Sequence, residues 1–178
     1  MSDQTSSLTL LISSARTFEK EALSEAWQLF KESGYEPLPQ ACTIPGLSLL
    51  VILQGALGEI VAVLKKEIRR FDYCLKFVPL QKIVSTNLSQ IADAARELLS
   101  LTSPNFNKWR ITLNRRHTNL PRAELLKEVS KVVEQGTVDL NNPSWIIQIE
   151  ILGKITGISI LQPNQIVSWT QKERNIEF

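Results

Sequence analysis

The sequence is poor in the residues that most often perform chemistry. Among 178 residues there is one histidine, His117, so a two-histidine metal site is excluded and any catalytic triad would turn on that single imidazole. No G-x-S-x-G, GxxxxGKS/T or GxGxxG run occurs, and there is no glycine-rich loop suited to an acyl-CoA pyrophosphate. The nearest glycine pair, Gly55-Ala-Leu-Gly58, has the spacing of a KH clamp. It follows an apolar strand instead of separating two helices with basic residues beside them, so it marks a strand-to-helix turn. Neither a metal, a cofactor nor a catalytic set is expected. The two cysteines, Cys42 and Cys74, lie 32 residues apart, outside any C-x-x-C pair and among strand-like neighbours. Both are read as small buried apolar residues.

Long hydrophobic runs are also missing. The longest candidate, Leu47 to Leu57, contains Ser48, Gln54 and Gly55, and a membrane span needs about 20 apolar residues. The N-terminus lacks a basic n-region, so no secretory signal is expected and the location is read as cytoplasmic. Charge of one sign is scarce as well: the formal net charge is +2, too little for a general DNA-coating protein. Its distribution says more. Residues 1–82 carry nine basic and nine acidic side chains, whereas the segment from Lys108 to Lys131 carries seven basic against two acidic. A local patch on a near-neutral chain suits a selective, salt-sensitive binder.

What is present is an alternation of strands and helices, with 43% hydrophobic and 21% charged residues, the balance of a folded domain. Leu8 to Ser13 predicts a strand; Phe18, Ala22, Ala26, Leu29 and Phe30 recur at helical spacing up to Gly34. Two short strands are expected around 38–43 and 47–53, with Pro45-Gly46 between them, then a helix over 59–70. An extended stretch follows from Tyr73 to Val84, long enough to belong to both halves. The order β-α-β-β-α-β is that of a ferredoxin-like fold, which hosts many functions.

In the second half, Asn87 and Gln90 have capping-box spacing ahead of a helix to Leu101 that Ser103-Pro104-Asn105 closes. Trp109, Ile111 and Leu113 alternate with polar residues as a half-buried strand. Pro121 opens a helix that Gly136 ends, with Leu125, Leu126, Val129, Val132 and Val133 on its inner face. Trp145, Ile147, Ile149 and Ile151 then alternate with Gln148 and Glu150, which are placed on the polar side, and 154–161 supplies the last strand. The tail from Ser168 to Phe178 is polar apart from Trp169, Ile176 and Phe178, and is left either loose or docked.

Three stretches carry a resemblance over roughly residues 75 to 165. They are Cys74-Leu-Lys-Phe-Val-Pro79 with the helix containing Ile91-Ala-Asp-Ala-Ala-Arg-Glu-Leu, Trp109-Arg-Ile-Thr-Leu-Asn-Arg-Arg-His117, and Val138-Asp-Leu-Asn-Asn-Pro143 with its strand to Glu150 and Gly157-Ile-Ser-Ile. Together they resemble a THUMP domain. Within that class the chain resembles the stand-alone adaptor family linked to N(4)-acetylcytidine formation in tRNA, with the double arginine, the ferredoxin-like half and the lack of a fused catalytic domain in agreement. The expected fold is α+β: a ferredoxin-like half over 1–75, then a THUMP domain over 76–178 with a short tail, mixed sheets flanked by helices.

The resemblance implies a non-catalytic adaptor that binds tRNA and presents it to a separate RNA acetyltransferase, with the THUMP half on the acceptor end. The candidate RNA-binding residues are Lys108, Arg110, Asn114, Arg115, Arg116, His117 and Arg122, extended by Asn141 and Lys154. Arg115, Arg116 and His117 are placed where a strand exits to a loop, with guanidinium forks suited to phosphate and to unpaired bases. Arg122 is placed in a helical first turn, beside N–H groups that also attract phosphate. Asp139 is assigned to shaping its turn. Two other readings remain open: an RNA-modifying enzyme using His117 or a carboxylate as base, and a protein-interaction scaffold indifferent to RNA.

Overall fold

The computed structural model describes residues 7–102 and 105–169. In chain order these form β1 (Leu8–Ser13), α1 (Glu19–Glu32), β2 (Glu36–Gln40), β3 (Leu47–Leu53), α2 (Leu57–Lys66), β4 (Lys76–Leu80), β5 (Lys82–Ser85), α3 (Leu88–Ser100), β6 (Lys108–Arg116), α4 (Arg122–Lys131), β7 (Thr137–Val138), β8 (Trp145–Leu152), β9 (Ile155–Leu161) and β10 (Val167–Ser168). They assort into two compact units, one drawn from Met1–Pro79 with Gln165–Phe178 and the other from Leu80–Asn164. Among the described residues no helix is long and apolar enough to cross a membrane.

The first unit follows from its alternating apolar positions. Leu8, Leu10 and Ile12 of β1 point to the face where α1 brings Ala22, Ala26 and Phe30 and α2 brings Ile60 and Leu64. Each large side chain withdrawn from water there contributes about 1.5–3 kcal/mol. The sheet order is β10-β4-β1-β3-β2, with β1–β3, β2–β3 and β10–β4 antiparallel. Two glutamates of α1 fix the connections. Glu19 accepts the N–H of Gly46 at 2.6 Å, while Glu25 accepts the N–H groups of Asp72, Tyr73 and Cys74. After Asn164 the chain returns to this unit, where Val167 pairs with Phe77 and the N–H of Trp169 reaches Leu75 O at 2.9 Å. Ile176 and Phe178 lie outside the described residues.

The second unit is a mixed sheet of order β5-β9-β8-β6-β7, with β6 parallel to both β8 and β7. Helix α3 begins because Asn87 accepts the N–H groups of Ser89 and Gln90, satisfying donors a helix start otherwise orphans. Ile91, Ala95 and Leu98 of α3, with Leu125 and Val129 of α4, pack on Leu113, Ile147, Ile149 and Ile158.

Several sequence expectations need correcting. The extended stretch 73–84 is two strands in different sheets, separated at Gln81. Gln81 donates its N–H to Ile158 O and Ser159 Oγ and accepts from the N–H of Ile160. Helix α2 ends at Lys66, and Ile68–Arg70 is a separate 3-10 turn. Helix α4 ends at Lys131, not at Gly136: its last turn tightens into bonds from Val132 N to Val129 O and from Val133 N to Ser130 O. Cys42 lies half-buried in the β2–β3 connection, whereas Cys74 is buried. The polar positions of β8 are not on a solvent side. Gln148 and Glu150 are each 1% exposed: β8 is flanked on both sides by strands, and the Glu150 carboxylate is ringed by Asn114, Arg116 and Gln148.

Candidate nucleic-acid interface

The basic segment maps mainly onto β6, and its residues divide between the two ends of that strand. Lys108 and Arg116 are the first and last of the nine residues of β6, about 26 Å apart at 3.3 Å per residue.

At the first end the cations are tied to one loop. Lys108 Nζ lies 3.3 Å from Asp139 Oδ2, and Arg110 Nη1 donates to Leu140 O at 3.0 Å. Asp139 Oδ1 accepts the N–H groups of Asn141 and Asn142 at 3.1 and 2.9 Å. The Asn142 N–H, the Lys108 ammonium and the Asn141 N–H together hold the Asp139 carboxyl below its ordinary range. Asp139 shapes its turn in this way, and Lys108 and Arg110 brace the loop that carries Asn141.

The second end gathers several elements at the C-terminal ends of the parallel strands β6 and β8. Arg115 and Arg116 stand opposite Ile151 and Leu152, and Gly153 N continues the ladder to Arg116 O at 2.9 Å. His117 leaves β6 in the left-handed region, φ 54°, and the β8–β9 turn beside it carries Lys154. Thr86 N donates to Lys154 O at 2.9 Å, which brings the capped start of α3 to the same end. Crevices beyond the carboxyl ends of parallel strands are common ligand positions in α/β sheets. Arg115 is exposed.

Three candidates at this end are engaged inward. Arg116 Nη1 donates to Glu150 Oε2 at 2.7 Å, and Asn114 Nδ2 donates to Glu150 Oε1 at 2.8 Å. Gln148 Nε2 also reaches Oε1, at 2.6 Å. A buried carboxylate costs free energy unless its oxygens are filled, and here all three donors fill them. Arg122 Nη1 donates to Leu113 O at 3.2 Å, joining the start of α4 to β6. The Glu150 network escaped sequence reasoning because it depends on strand register. The only sequence signal was an acid inside an isoleucine run.

Residues 85–161 match the family model described as THUMP domain. This stretch is a THUMP domain. It holds every candidate residue of both clusters. No curated protein matches the chain. Among solved structures, the chain is similar to PH1313 from Pyrococcus horikoshii Ot3, at 16% identity and TM-score 0.66, covering 90% of this chain and 55% of that one. It is also similar to TrmN from Thermus thermophilus, at 15% identity and TM-score 0.59, covering 88% and 47%. A third is a 4-thiouridine synthetase solved as an RNA complex with bound ATP, at 14% identity and TM-score 0.58, covering 90% and 42%. These likenesses extend beyond the THUMP domain to the ferredoxin-like half and concern the fold. The chain spans about half the length of each.

Proposed function

We propose that the chain binds tRNA through its THUMP domain and presents it to a separate acetyltransferase for N(4)-acetylcytidine formation, performing no chemistry itself. The observation that carries the RNA reading is the convergence of Arg115, His117 and Lys154 at one end of the THUMP sheet. The candidate cations at the other end, Lys108 and Arg110, contact their own loop. A guanidinium and an ammonium beside the start of a helix favour phosphate. That one neighbour of similar fold was crystallised with RNA supports the same ligand class. The adaptor role and the acetyltransferase rest on the resemblance of the sequence motifs. Mechanistically the role is positioning: holding a substrate near its catalyst raises effective concentration without new chemistry.

The test is binding of the purified chain to folded tRNA, to the same tRNA trimmed of its single-stranded 3′ end, and to an unrelated duplex, across a salt series. Preference for intact tRNA, weakened by trimming, is the expected result. Equal weak binding to all three would contradict it.

A further inference from the structure

Arg116 and Arg115 are neighbours in sequence and differ in what they meet. Strand alternation puts their side chains on opposite faces of the sheet. Arg116 reaches back one pleat to Glu150, whose carboxylate is buried and whose two oxygens are filled by Arg116, Asn114 and Gln148. The backbone of Arg116 is held too, its carbonyl accepting from Gly153 N at 2.9 Å. Arg116 is therefore anchored at both its main chain and its side chain, and its charge is neutralised in place. The residues on either side of it, Arg115 and the left-handed His117, project from that anchor.

We infer that Glu150 is a positioning residue of the RNA-binding end, which locks Arg116 and Asn114 so that phosphate contact falls to Arg115, His117 and Lys154. This inference rests on the RNA reading above and divides the labour within it. It also makes an acid buried in the sheet necessary for binding a polyanion. Simple electrostatics predicts the opposite sign, since removing an acid near an RNA site strengthens attraction to phosphate.

The experiment measures tRNA affinity against salt for the wild-type chain and three variants, Arg115→Ala, Glu150→Gln and the double variant Arg116→Gln with Glu150→Gln. The double variant keeps hydrogen-bonding groups at both positions and leaves no unpaired charge, so it reports even where Glu150→Gln alone folds poorly. A phosphate contact contributes about 0.7–0.9 to the slope of log affinity against log salt. Arg115→Ala is expected to lower the slope by that amount. Glu150→Gln and the double variant are expected to weaken binding several-fold with the wild-type slope intact. Glu150→Gln binding as tightly as wild type or tighter would overturn the inference, as would a double variant that loses one contact's worth of slope. If the wild-type chain shows no salt-dependent tRNA binding, the RNA reading falls and this inference with it. Wild-type binding together with tight binding by Glu150→Gln overturns the inference alone.

Discussion

The guanidinium of Arg116 reaches the carboxylate of Glu150 across two parallel strands, Nη1 2.7 Å from Oε2, with the Glu150 side chain 2% exposed and that of Arg116 32%. Removing one partner of such a pair leaves the other's charge uncompensated. Arg116→Ala is expected to destabilise the second unit by about 2–3 kcal/mol, less than for a fully buried pair because Arg116 is partly solvated. The double variant in which both residues become Gln should recover part of that loss. Urea denaturation of Arg116→Gln, Glu150→Gln and the variant carrying both measures the coupling, and additive losses would show that the contact is not made.

The Asp139 turn makes acid sensitivity predictable. Its carboxyl is held below the ordinary aspartate range by the Asn142 N–H and then by Lys108. A group whose folded pKa is depressed contributes stability above its unfolded pKa and loses it as pH falls through the folded value. The contribution is therefore complete at neutral pH and fades below about pH 4. Asp139→Asn keeps an acceptor for Asn141 and Asn142 but removes the titration. Thermal melts from pH 7 to pH 2 should show a shallower acid decline in that variant than in wild type; identical profiles would contradict this account.

Asn87 is the helix start that the sequence displayed most openly. Replacing it with alanine removes the acceptor for Ser89 and Gln90 and is expected to cost about 1 kcal/mol. Asn87→Ser, which restores an acceptor, should return most of it. Chemical denaturation of the two variants separates capping from any other role of the position.

Gly136 serves the turn before β7 and not the end of α4. Its φ is +80°, and a Cβ there would stand 2.5 Å from Phe106 O and 2.6 Å from Asn107 O. Both obstacles are backbone. Gly136→Ala is expected to cost at least about 2 kcal/mol, from the left-handed conformation and the clash together. A melting temperature unchanged from wild type would refute it.

Local signals in the sequence were enough for most elements. The run Leu8–Ser13, the helical recurrence from Ala22 to Phe30 and the Pro45-Gly46 turn each depend on neighbours within a few residues. What escaped depends on partners far along the chain. Glu150 looks like the polar half of an alternating strand until register sets it opposite Asn114 and within reach of Arg116. The stretch 73–84 looks continuous until Gln81 is seen bonded to β9. The candidate cations form one basic run in sequence, yet β6 carries Lys108 and Arg116 to its opposite ends.

In the proposed function the Arg115 end of the THUMP sheet grips tRNA phosphates. The most direct test is the salt dependence of tRNA affinity for the double variant Arg115→Ala with Lys154→Ala, set beside Lys108→Ala. The double variant is expected to lose about 1.4–1.8 from the slope, two contacts' worth, while Lys108→Ala leaves it unchanged. A full slope in the double variant, or a loss that follows Lys108 instead, would contradict it.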